Sequence, residues 1–86
     1  MSFVDPDALI DTLYQQAQRL HKNARCAEAE LWCRQGLYLA EKHLSTARPV
    51  YINLNILLGM ILESQSRFDD AADCFRHSAE LLQSQR

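Results

Sequence analysis

Three cysteines, three histidines and a cluster of aspartates are the residues of this chain with the most chemistry in them. Cys26 and Cys33 sit seven apart, and Cys74 and His77 three apart, so each pair shares one face of a helix. A thiol beside an imidazole could serve a nucleophile or begin a zinc site. Zinc needs three or four ligands, and these spacings supply two. Cys33 and His43 are too far apart on one helix to pair. There is no glycine-rich phosphate loop, no His-Glu-x-x-His and no nucleophile in a known context. The odd number of cysteines fits no disulfide framework. They read as small buried hydrophobes in a reducing compartment. Asp69, Asp70 and Asp73 read as complements to a helix dipole. His21 and His77 could respond to pH at an interface, but nothing else in the sequence supports that role. The chain is therefore expected to be no enzyme, and to need no metal and no cofactor.

The elements that carry these residues follow from pattern. Eighty-six residues allow one domain, and a chain this short buries only roughly 60% of its unfolded surface. Apolar residues make up 48%, while glycine and proline number two each, so long helices are favoured over many short strands. A net charge of −2 leaves no basic footprint for nucleic acid. The start is acidic and lacks the basic and apolar regions of a secretory signal. The apolar stretch from Val50 to Leu62 is too short, and with Asn53 and Asn55 too polar, to span a bilayer. A cytoplasmic protein without membrane contact is the expectation.

Asp5-Pro6-Asp7 predicts a helix start, with Asp5 as cap and Pro6 in the first turn. Leu9, Leu13, Ala17 and Leu20 mark its inner face, and the turn falls near Asn23-Ala24-Arg25. A second helix begins near Cys26 or Ala27 and carries Ala29, Leu31, Trp32, Cys33, Leu37, Leu39, Ala40 and Leu44. Gly36 in its middle predicts close approach of a neighbouring helix. Ser45-Thr46 ends it, and Thr46 can cap a third helix with Pro49 in its first turn. That helix runs to the polar turn from Glu63 to Arg67. A fourth starts near Phe68 with Ala71, Ala72, Cys74, Phe75, Ala79, Leu81 and Leu82 on its buried side, and Gln83 to Arg86 fray. The fold class is all-α, with two antiparallel helical hairpins.

The hairpins repeat. At an offset of 42 residues, Ile10/Ile52, Leu20/Leu62, Arg25/Arg67, Ala29/Ala71, Arg34/Arg76 and Leu39/Leu81 are identical, and small residues match at Ala17/Gly59 and Gly36/Ser78. At this point the chain resembles the tetratricopeptide repeat family. Leu58-Gly59, Leu62, Phe68, Ala71, Phe75 and Ser78 fall on that family's alternation of large and small residues. Asn55 replaces the leading Trp, and Gln83 replaces the closing Pro. The first copy is poorer, with Gln16 for a Leu and Cys26 and Cys33 for aromatics. The period exceeds the usual 34 residues, which implies a longer second helix. The resemblance covers roughly residues 8 to 84 and implies a single domain, 1–86, with repeats at about 6–44 and 47–84.

The resemblance implies that Gly59 and Ala17 allow close helix approach, that Ala29 and Ala71 sit at crossings, and that Phe75 fills the space between hairpins. It also implies a concave groove lined by Asp11, Tyr14, Gln18 and His21 of the first helix and by Asn53, Ile56, Met60 and Glu63 of the third. Ile56 and Met60 either pack on a neighbouring helix of the same chain or face a partner's helix. The Lys and Asn residues that bind C-terminal carboxylates in some members are absent, so a receptor for heat-shock-chaperone tails is rejected. Two repeats are fewer than usually stabilise a stack, so one end should be covered by another chain, a second copy or a different protein. The architecture is similar to that of the small chaperones that hold needle subunits of bacterial type III secretion soluble, often beside a co-chaperone. It implies a chaperone or adaptor that sequesters an apolar helix. The alternative is a terminal segment of a larger scaffold of the same repeat, against which the Met1 start weighs.

Overall fold

The computed structural model describes residues 5–43 and 48–84. Four helices follow one another: α1 (Pro6–Lys22), α2 (Cys26–His43), α3 (Pro49–Ser64) and α4 (Phe68–Gln83). No strand occurs among the described residues. α1 pairs with α2 and α3 with α4 as two antiparallel hairpins. α3 is the central element. It contacts all three other helices, whereas α4 packs chiefly on α3. α3 accordingly buries nine residues, among them Leu54, Ile61 and Leu62.

Local chemistry explains the boundaries. The Asp5 carboxylate accepts from the Asp7 N–H at 3.1 Å, and Pro6 occupies the first turn of α1. Pro49 does the same for α3, whose capping residue is Arg48 and makes no side-chain cap. The expected stop of α2 at Ser45-Thr46, the expected cap Thr46 of α3 and the apolar Leu44 lie outside the described residues. So do Met1–Val4, Gln85 and Arg86.

The 42-residue offset is a structural repeat as well as a sequence one. Ala24 and Ser66 both adopt left-handed backbone, with φ of 61° and 63°. After each, an arginine N–H turns back to a leucine carbonyl: Arg25 to Leu20 at 2.9 Å, and Arg67 to Leu62 at 2.9 Å. That carbonyl–amide closure ends the first helix of the hairpin and aims the second back along it. Ile10/Ile52, Ala17/Gly59, Leu20/Leu62, Ala29/Ala71 and Gly36/Ser78 are buried as pairs.

The glycine positions are where helices come closest. A Cβ at Gly36 would lie 3.2 Å from a Leu54 methyl, so α3 rides directly on α2 there. A Cβ at Gly59 would lie 2.6 Å from the Phe75 ring. Phe75 thus packs on α3 at Gly59 inside the second hairpin and does not fill the space between hairpins. Leu54 holds that inter-hairpin place, with its carbonyl accepting the Cys33 S–H at 3.2 Å.

Other expectations are corrected. Leu9 is 37% exposed, and Ile10, fully buried, takes its place on the inner face of α1. Adjacent positions differ by about 100° around a helix, and the neighbours of α1 lie on the Ile10 side. Ala72, Ala79 and Leu82 are exposed on α4, because no helix lies beyond it among the described elements. Leu31 and Trp32 of α2 are also exposed.

Candidate functional site

α1 and α3 lie side by side and leave an open groove of about 340 Å³ between them. Its α1 wall is Tyr14, Gln18, His21 and Lys22, and its α3 wall is Asn53, Ile56, Leu57 and Met60. Rows at i and i+4 explain the lining: Tyr14, Gln18 and Lys22 on α1, Asn53 and Leu57 with Ile56 and Met60 on α3. Ile56 is half-buried and Met60 is 42% exposed, so both present apolar surface to solvent.

Two polar clamps hold the walls at this spacing. Near the groove's Met60 end, Ser64 Oγ donates to the Met60 carbonyl at 3.0 Å and accepts from His21 Nε2 at 3.2 Å. At the other end of the two helices, Arg48 reaches Asp7 at 3.4 Å, an exposed pair of small energetic weight. Within the groove, Gln18 Nε2 donates to Tyr14 Oη at 3.2 Å. Burial first, and then the nearby Cys33, raises the Tyr14 phenol above its ordinary value, so the ring stays neutral at pH 7. The groove has an apolar side on α3, the amides of Gln18 and Asn53 and the phenol of Tyr14 for hydrogen bonding, and the ammonium group of Lys22.

Six of the eight expected groove residues are brought together here: Tyr14, Gln18, His21, Asn53, Ile56 and Met60. Asp11 and Glu63 are exposed and lie outside the lining. Lys22 and Leu57 belong to it and were missed. The i+4 rows from Gln18 and Asn53 point at both.

The residues with the most chemistry do not assemble. All three cysteines are free. Burial above all pushes the Cys33 thiol up to about 12, and the nearby Cys74 adds to it, so Cys33 is a protonated donor to Leu54 rather than a nucleophile. Burial likewise raises the Cys74 thiol. His77 does not join Cys74 in a site. Its ring meets Tyr51 edge-on, centroids 6.2 Å apart, and Tyr51 Oη donates to Glu41 at 3.1 Å. Asp70 and Asp73 pair with Arg67 and Arg76 at 3.5 and 3.1 Å. Among the described residues, no three His, Cys, Asp or Glu side chains gather to hold a metal. No described helix is long and apolar enough to cross a membrane. No protein-family model, curated protein or solved structure matches the chain.

Proposed function

We propose that this chain is a protein-binding module of tetratricopeptide-repeat type, and that the groove between α1 and α3 receives an apolar or amphipathic helix of another protein. The observation that carries the reading is the apolar surface that Ile56 and Met60 show to solvent over the buried Leu57, beside the polar row Tyr14–Gln18–Lys22. An apolar strip bordered by hydrogen-bonding side chains suits a helix that buries one face and keeps the other wet. Met60 adds a flexible side chain that can conform to different partners. The order of helix neighbours, each hairpin stacked on the next through α2 and α3, supports the repeat assignment.

By the same reading the module acts as a small cytoplasmic chaperone or adaptor. It keeps an aggregation-prone helix covered, and a needle subunit of type III secretion is the kind of cargo that would need this. Binding, with no catalytic step, is the proposed activity.

The test uses Ile56→Glu and Met60→Glu together. Glutamates on exposed or half-exposed positions leave the helical circular dichroism unchanged, while the specific partner recovered with the natural chain is lost. Recovery of the same partner by the variant in equal amount sinks the groove reading. Collapse of the fold shows instead that Ile56 and Met60 are core residues.

A further inference from the structure

Five residues of α4 recur at alternating spacings of four and three: Phe68, Ala72, Phe75, Ala79 and Leu82. That is the seam of a helix made to pair with another helix. The seam is uncovered. Phe68 is 62% and Leu82 50% exposed, Ala72 and Ala79 are exposed, and only Phe75 is half-buried, against Gly59. At the repeat offset the same five positions of α2 are Cys26, Glu30, Cys33, Leu37 and Ala40. There Cys33 and Ala40 are fully buried and Leu37 nearly so, under the second hairpin. The fold thus contains one covered and one open version of the same helix-receiving face.

We propose that a second copy of this chain covers the open face, its α4 running antiparallel to the first α4 about a two-fold axis. Two features of α4 fit it to itself in this direction. The first is size. Centred between Asp73 and Cys74, the pairing sets Phe68 against Ala79 of the second copy and Ala72 against its Phe75, and the symmetry repeats both contacts. Every ring then meets a methyl, the interlock that lets two helices approach closely. The second is charge. Asp69 and Arg76 flank the seam on its solvent side, away from α3. The antiparallel register puts Asp69 of each copy beside Arg76 of the other. A parallel register would instead leave Asp69 and Arg76 of the two copies on opposite sides of the seam, with no charge pair across it. Arg76 now rests on Asp73, a pair about two-thirds exposed, so the guanidinium can be shared with Asp69 of the second copy at little cost.

Head-to-tail stacking is the competing self-association, and the sequence of α1 opposes it. The α1 positions that match the buried Tyr51, Leu54, Leu58 and Ile61 of α3 are Leu9, Thr12, Gln16 and Arg19. A polar face of that kind does not complement the α4 seam. A closed pair is the arrangement left, and closure also prevents open fibres.

Sedimentation velocity on the natural chain, Asp69→Arg, Arg76→Asp and an equimolar mixture of the two variants tests the pairing. The natural chain sediments as a dimer at micromolar concentration. Each single variant opposes two like-charged pairs, so its dimer weakens by about tenfold or more. The mixture regains the natural affinity, because a dimer of one variant with the other restores opposite charges at both flanks. Ala72→Asp, which puts a charge against Phe75 of the second copy at both symmetric contacts, dissociates the dimer with helicity intact, and Met60→Glu leaves it unchanged. A folded natural chain that stays monomeric overturns the proposal and assigns the seam to a following segment or a foreign helix. A dimer indifferent to Asp69→Arg and Arg76→Asp, or a mixture that fails to recover, overturns it equally.

Discussion

The second helices of the two hairpins share a register and lead different lives. In α2 the stripe from Cys26 to Ala40 lies beneath α3, and Cys33 and Ala40 within it see no solvent. In α4 the matching stripe from Phe68 to Leu82 faces outward. Composition has followed circumstance. The covered stripe carries a leucine, two small thiols and an alanine where α3 presses closest. It also tolerates one charge, Glu30, because two guanidiniums reach it: Arg34 at 2.8 Å and Arg67 at 3.0 Å. The open stripe has Ala72 in place of Glu30 and aromatic rings at its upper half. A helix face is thus not inherently core or surface. What lies against it decides the energetic weight of each residue.

The comparison is sharpest at Leu37 and Leu82. Leu37→Ala should cost about 2–4 kcal/mol, since it deletes a side chain packed under the second hairpin. Leu82→Ala should cost less than about 0.5 kcal/mol when measured in the Asp69→Arg background, which keeps the seam free. Urea unfolding of the two variants gives both numbers. Equal costs would mean that the α4 seam is already covered within one chain.

Next in size is the approach at Gly59. An added methyl meets the Phe75 ring, and Gly59→Ala should destabilise by about 1–3 kcal/mol despite alanine's better helix propensity. Gly36→Ala, where the nearest atoms are Leu54 methyls at 3.2 and 3.3 Å, should change stability by less than about 1 kcal/mol. In a Phe75→Leu background most of the Gly59 penalty should vanish. A double-mutant cycle without coupling would show that the ring is not what alanine strikes.

A further small effect belongs to Glu30, the charge that only the α2 stripe carries. Burial opposes ionisation of Glu30, but hydrogen bonds and charge from Arg34 and Arg67 outweigh it, so its carboxyl titrates below the ordinary value. The folded chain then holds this proton less tightly than the unfolded chain. The contribution is complete above the unfolded value near 4.5 and is lost as pH falls through the lower folded one. Glu30→Gln should lose no more than about 1 kcal/mol at neutral pH, since both arginines are about half exposed. It should also show a shallower loss of stability than the natural chain on acidification below about pH 5. Parallel acid-unfolding curves for the two proteins would remove Glu30 from the account. No corresponding effect is expected at Ala72.

Much of this architecture is legible in the residues because it is local. Asp5 and Pro6 start α1 by capping chemistry that needs nothing distant, and the backbone places them so. Gly36 sits mid-helix at a cost that only a close neighbour offsets, and Leu54 is that neighbour. The paired turns at Ala24 and Ser66 lie on the offset that the identities display. Leu9 against Ile10 was not legible, because two adjacent apolar residues give a helix two candidate inner faces and only the neighbours select one. The groove was legible as two rows. Its edges were not: Asp11 and Glu63 share faces with the lining yet fall outside it, while Lys22 and Leu57 fall within.

The sequence by itself determined four helices, their hairpin pairing and the 42-residue repeat, since capping, periodicity and turn chemistry act over a few residues. Tertiary structure alone decided where Phe75 rests, that Arg67 joins Arg34 at Glu30, and which of two equivalent stripes lies open. Those outcomes depend on contacts between residues far apart in the chain, and two faces that are alike in register differ only in whether another helix arrives to cover them.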